Sequence, residues 1–207
     1  MSSEAIVVKI GGSLARPGSA LARVVELMRA AGRPLAIVPG GGAFADAVRA
    51  AQADVGFSDE AAHRMAILAM HQTGLMLTAL APEWRAYEDV SDIAAGLARG
   101  ETAVWLPLKE CEGDERLPAS WETTSDAIAA RLAERLGGLK VVFVKSRTAG
   151  REASAEALAA DGLIDPVAAR IIREAGLPFA AMAADEEARL REVLAVSLQV
   201  DAPPGPC

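Results

Sequence analysis

Val7-Val8-Lys9-Ile10-Gly11-Gly12-Ser13-Leu14 is an apolar, strand-like run that carries one lysine, ends in two glycines and passes into helical sequence. Leu35-Ala36-Ile37-Val38 repeats the pattern, running into Pro39-Gly40-Gly41-Gly42 and then a helix expected over residues 44–53. Glycine lets backbone N–H groups come close to a phosphate, and a helix N-terminus behind it adds positive potential. One Gly-Gly turn after a strand is a weak signal, because tight turns use it often. Two such loops on successive strand–helix junctions are a stronger one. The strand–helix–strand–helix order calls for a parallel sheet with right-handed crossovers, in which both loops lie at the carboxyl ends of strands, where ligands bind. Neither loop has the spacing of a G-x-x-x-x-G-K-[ST] or G-x-G-x-x-G motif.

A third stretch, Thr124-Ser125-Asp126-Ala127-Ile128-Ala129-Ala130, sets a carboxylate at the start of a helix expected over 126–136, with Ile128, Leu132 and Leu136 on one face and Gly137-Gly138 closing it. Two phosphate cradles, a lysine and an aspartate make up most of a phosphoryl-transfer site. The chain has only four lysines among 21 basic residues: Lys9, Lys109, Lys140 and Lys145. A compact ammonium at the end of the first strand suits a phosphate ligand. Lys145, after Phe143-Val144, is open to the same reading and equally to chance.

Elsewhere the periodicity predicts strands over 5–10, 35–38, 104–108, 141–144 and 179–182. It predicts helices over 19–31, 60–80, 93–99 and 166–175, and one through Leu194 that Asp185 would cap. The helix over 60–80 is apolar nearly all round, which suggests burial on several sides and a homodimer or larger assembly. Residues 1–200 read as one domain and 201–207, with three prolines, as a loose tail. The net charge of −7 argues against a nucleic-acid partner. No apolar run approaches a membrane span, and the N-terminus lacks the basic start of a signal peptide. Cys111 and Cys207 show no metal spacing and read as free thiols of a cytoplasmic protein. His63 and His71 lie about 80° apart around a helix, which does not make a metal pair. His63 either lines a substrate pocket or sits at a surface or interface. Trp84 and Trp105 read as packing; Trp121, five residues before Asp126, could wall a flat acceptor. Glu110, Glu112, Asp114 and Glu115 read as a solvated acidic loop.

Lys9 to Leu14, Pro39 to Gly42, and Thr124-Ser125-Asp126 opening a helix, in this order, resemble the amino acid kinase family, over roughly residues 5–184. The resemblance implies a three-layer αβα sandwich around a mainly parallel sheet, with ATP and Mg²⁺ at its edge. It implies that Lys9 binds the transferring phosphoryl group and that Gly11, Gly12 and Ser13, with Lys145 and Ser146, serve the nucleotide. Gly40, Gly41 and Gly42 would hold the acceptor, with His63, Thr124 and Ser125. Asp126 would orient the lysines and help hold Mg²⁺ indirectly. A narrower resemblance, on Phe57-Ser58-Asp59, His63 to Met70 and Trp121 to Asp126, is to the small branch containing the aminomethylfuran phosphate kinase of methanofuran synthesis. That branch phosphorylates a phosphate monoester. The rival readings are a kinase for a carboxylate, marked by an arginine clamp that Arg49 or Arg64 could supply; a kinase for isopentenyl phosphate, marked by an extended apolar pocket; and a nucleotide-sensing or storage protein without turnover.

The chain departs from the family's pattern after its central strand. Lys145 is followed by Ser146-Arg147-Thr148-Ala149-Gly150, and an Asp-Gly pair comes only at Asp161-Gly162. No lysine follows Lys145, although many members of the family carry a catalytic one there. Lys145, Arg147 or Arg151 is left to substitute for it, or else nucleotide binding is altered.

Overall fold

β1 (Ile6–Ile10) is buried along its whole length, which is why it reads as an apolar run broken only by Lys9. β2 (Leu35–Pro39) and β5 (Val141–Lys145) flank it, both parallel to it. With β3 (Arg85–Tyr87), β4 (Ala103–Trp105) and β6 (Phe179–Ala183) they form one six-stranded sheet in the order β3-β4-β2-β1-β5-β6, every pair parallel. The computed structural model describes residues 5–16, 18, 20–148, 150 and 153–195. The expected tail at 201–207, with Cys207, and Arg151 lie outside the described residues.

Alternation along the strands sorts the core into two clusters, one on each face. Ile6, Val8, Ile10, Val142 and Val144 pack with α1 (Leu21–Arg29) and α9 (Glu187–Leu194). Val7, Val141 and Phe143 pack under α4 (Val90–Ala98), α6 (Ser125–Arg135), α7 (Ala155–Ala160) and α8 (Pro166–Ala175). The three-layer αβα reading therefore holds. α2 (Gly42–Val55) starts on the second glycine loop and ends at Gly56, whose φ of 78° is open to glycine at little cost. α3 (Asp59–Leu80) follows, its first turn capped by the Ser58 hydroxyl, which accepts from the Ala61 N–H at 3.3 Å.

Four expectations change. β4 stops at Trp105 instead of reaching Leu108, because Pro107 cannot donate to a ladder and instead precedes a short helix, α5 (Leu108–Cys111). β3, α5 and α7 carried too short a pattern to read. Asp185 does not cap α9, which begins at Glu187; Glu186 instead accepts from the Ala183 N–H at 2.7 Å. The acidic loop is only half solvated: Glu110 pairs with Arg135 and Asp114 with Arg131, both half-buried, while Glu112 and Glu115 are exposed.

Candidate active site

The carboxyl ends of β1, β2 and β5 meet at one edge of the sheet. The Gly11 N–H donates to the Val144 carbonyl at 2.8 Å, and the Gly40 N–H to the Ile10 carbonyl at 2.9 Å. Each loop is thus tied to the end of a neighbouring strand. The loops also touch each other: a Cβ at Gly40 would lie 2.4 Å from the Gly12 nitrogen, and one at Gly12 would lie 2.6 Å from the Gly42 nitrogen. Gly12 opens a 3₁₀ turn (Gly12–Ala15) and Gly42 opens α2, so the first N–H groups of both have no intrahelical acceptor. The interlock brings two such helix starts side by side, an arrangement suited to phosphate oxygens. The glycines therefore have a packing reason as well as a binding one. Ser13 and Ser146 are exposed at the rim.

Behind the loops lies a buried charge cluster. Alternation puts Lys9 and Lys145 on the sheet face that α6 covers, the face of Val7 and Phe143. Asp126, the second residue of α6, sits between them. Lys9 Nζ is 2.8 Å from Asp126 Oδ1, and Lys145 Nζ donates to Oδ2 at 2.6 Å. Lys9 and Asp126 are each 4% exposed. Burial alone would raise the Asp126 carboxyl, but the two ammoniums outweigh it and hold it below the usual range. Burial, helped by repulsion from Lys9, pulls Lys145 down to about 8. Lys145 is thus the second lysine beside Asp126. Arg147 instead donates to the Asp161 carbonyl.

The cluster tests what the site could hold. Asp126 Oδ1 is buried, and its contact with Lys9 lacks hydrogen-bond alignment, so among the described residues no aligned donor satisfies it. A magnesium ion is commonly held by one or two carboxylates together with substrate phosphates and waters. Asp126 fits that role indirectly, since both its oxygens already face ammoniums. Among the described residues no group of three His, Cys, Asp or Glu could hold a metal by itself.

Beside Gly41 a cavity of about 80 Å³ is lined by Arg49, His63, Trp121, Thr124 and Ser125. Past His63 and Ile67 a larger one, about 420 Å³, runs toward Glu112 and Glu115. His63 is therefore a pocket residue, its Nε2 buried without a hydrogen-bond partner among the described residues. Burial lowers its pKa against the Ser120 carbonyl, which favours the neutral ring. His71 is elsewhere, its Nε2 accepting from the Leu108 N–H at 3.0 Å. Trp121 lines the pocket with its indole N–H donating to Gln52 at 2.6 Å, and one face of its ring carries the Arg49 guanidinium at 4.2 Å. Cys111 is inert: burial pushes its thiol up to about 12.

The structure thus brings together Lys9, Asp126 and Lys145, and separately Gly41, His63, Thr124 and Ser125, all residues that sequence reasoning had singled out. Sequence reasoning offered Arg49 and Arg64 alike as a clamp and missed that Arg49 is the one beside Gly41. It also missed Asp165, whose signal was an Asp-Pro pair at a helix start.

Residues 4–147 match the profile of the amino acid kinase family. The chain belongs to the amino acid kinase family. It is 27% identical over 138 residues to the [5-(aminomethyl)furan-3-yl]methyl phosphate kinase of Methanocaldococcus jannaschii, a match that covers 66% of this chain and 63% of that one. The chain thus matches a little under two thirds of that relative's length. Among solved structures, it resembles the uridylate kinase of Archaeoglobus fulgidus, with a TM-score of 0.67 and 16% identity over 92% of this chain and 95% of that one. An isopentenyl phosphate kinase superposes with a TM-score of 0.61 and 15% identity, over 92% of this chain and 96% of that one. Carbamate kinase from Giardia lamblia bound to AMP-PNP gives 0.61 at 10% identity, over 94% and 99%. These likenesses carry the fold.

Proposed function

We propose that this family member is a phosphotransferase that passes the terminal phosphoryl group of ATP to a small phosphate monoester. The observation that carries the reading is Asp126 gripping Lys9 and Lys145 directly behind two interlocked glycine loops. Transfer of a phosphoryl group needs positioning and charge neutralisation more than covalent chemistry. Lys9 would neutralise the group in flight, Lys145 and the Gly11–Ser13 turn the donor side, and the Gly40–Gly42 loop the acceptor side. Bound Mg²⁺ would add charge neutralisation on the donor phosphates, with Asp126 as its indirect protein partner. A phosphate acceptor needs no deprotonation, so a carboxylate held below its usual range serves as an organiser.

The acceptor would lie in the pocket of Gly41, His63 and Trp121. Arg49 there is a cationic fork that suits an anionic end, phosphate or carboxylate. It keeps a carboxylate acceptor as the second reading. The sequence likeness to the aminomethylfuran phosphate kinase supports the phosphate ester, as a step of one-carbon cofactor synthesis. Lys145 beside Asp126 speaks against a storage protein without turnover. A screen of ATP consumption over phosphate monoesters, including [5-(aminomethyl)furan-3-yl]methyl phosphate, tests this. Turnover of carboxylates alone, with no phosphate ester accepted, would overturn it.

The proposal extends to a homodimer in the cytoplasm. No helix among the described residues is long and apolar enough to cross a membrane. α3 leaves Met65, Leu68 and Leu75 exposed along one face, at 39%, 42% and 58%. Such a stripe suits a second copy. Light scattering should give twice 21.4 kDa, and Leu68→Glu with Leu75→Glu should return the monomer.

A further inference from the structure

Asp165 is a buried carboxylate that the transfer chemistry leaves unused. It caps its own helix: Oδ1 accepts from the Ala168 N–H at 2.6 Å, with Pro166 in the first turn of α8. Its other oxygen serves a different helix. Oδ2 accepts from the Thr124 N–H at 3.0 Å, the Thr124 hydroxyl at 2.6 Å and the Ala127 N–H at 3.0 Å. The Thr124 oxygen in turn accepts from the Asp126 N–H at 3.2 Å. A hydrogen-bonded relay therefore runs from the backbone of Asp126 through Thr124 to Asp165.

This is more than a cap requires. α3 and α7 are capped in this chain by the neutral hydroxyls of Ser58 and Ser154. At α8 the capping group is instead a carboxylate only 7% exposed, raised by burial and then by repulsion from Asp126. A buried anion close to a second anion is costly unless its bonds repay it. Three of its four bonds go to the turn that carries Asp126.

We propose that Asp165 is a positioning residue, which locks the 124–127 turn so that the Asp126 carboxylate meets Lys9 and Lys145 together. The inference leans on the kinase reading only for its activity arm. Asp165→Asn separates the two roles, because Asn caps a helix about as well as Asp. It keeps an acceptor for α8 but turns an amide group toward the donors of α6.

The four lysines make the test clean. In protein labelled at lysine ¹³Cε, the Lys145 signal should titrate at lower pH in Asp165→Asn than in wild type, by at least about half a unit, because a misplaced Asp126 no longer favours the ammonium. Ser154→Ala, which removes an ordinary cap, should lower the melting temperature and leave that titration in place. With [5-(aminomethyl)furan-3-yl]methyl phosphate as acceptor, Asp165→Asn assayed well below its melting temperature should lose at least about tenfold in kcat, with KM for ATP nearly unchanged. A variant that melts earlier but keeps both the Lys145 titration and kcat would overturn the proposal and leave Asp165 a cap. If wild type does not use that ester, the acceptor assignment fails and the lysine titration alone decides Asp165.

Discussion

The loops after β1 and β2 and the loop after β5 leave the same edge of the sheet but are built by opposite means. The first two are glycine against glycine, with no room for a Cβ between Gly12, Gly40 and Gly42. Ser146-Arg147-Thr148 is exposed and held by side chains: Thr148 donates to Glu186 at 2.9 Å, and Arg147 reaches the Asp161 carbonyl. One region fixes its geometry through backbone contact, the other through groups that can be exchanged. Lys9 and Lys145 stand at the foot of each and share one carboxylate. The difference says where substitution should hurt: in the lysine and the backbone of the first region, and only in the lysine of the second.

The sharpest break would come at Lys9. Lys9→Ala should cut phosphotransfer about 10²–10³-fold, the usual effect of losing one electrostatic contact to the transferring group, with an unchanged circular dichroism spectrum. Turnover above about a tenth of wild type would remove Lys9 from the chemistry.

Gly40→Ala comes next. Its Cβ would meet the Gly12 nitrogen at 2.4 Å and its Cα at 2.7 Å, both backbone atoms that cannot swing aside. Overpacking of this kind costs about 1–3 kcal/mol, readable in a urea melt, and the interlock predicts lost activity along with it. A fully stable, active Gly40→Ala protein would mean that the two loops can move apart at Gly12 and Gly40.

Lys145 gives the third effect, with opposite signs for activity and stability. Its pKa of about 8 lies below the usual lysine range because of burial and the Lys9 charge. The ammonium is the form that can meet phosphate, so kcat/KM should fall as pH rises through about 8. The unfolded chain holds this proton up to the ordinary lysine value. Between the two, it binds more protons than the folded chain, so this group's contribution to stability rises with pH. A flat kcat/KM from pH 7 to 9.5 would contradict the assignment. The smallest effect belongs to Ser146→Ala, an exposed position that should change stability by less than about 0.5 kcal/mol. A large loss of stability there would erase the contrast between the two regions.

Much of the site was legible because its parts are local. A strand that ends in glycines before a helix announces itself within ten residues, and a Thr-Ser-Asp helix start does too. Parity puts Lys9 on the face of Val7 and Lys145 on that of Phe143, but only the register of β1 against β5 makes the two faces one. That Arg49 rather than Arg64 lines the Gly41 pocket was not legible, because it depends on Trp121, 72 positions later, coming to lie under its guanidinium. The short elements β3, α5 and α7 were missed because a few residues cannot establish a period.

The sequence by itself determined the parallel sheet with strand–helix crossovers, the two glycine loops, and the candidacy of Lys9 and Asp126. Those follow from hydrophobic period, turn chemistry and helix-start residues, which act between near neighbours. Tertiary structure decided which residue becomes the second lysine, because the register that sets Lys9 opposite Phe143 brings Lys145 onto Asp126. It also decided that Asp165 grips the turn around Asp126 from 39 residues away. Pairings at such separations depend on how strands and helices pack, and no local pattern carries that information.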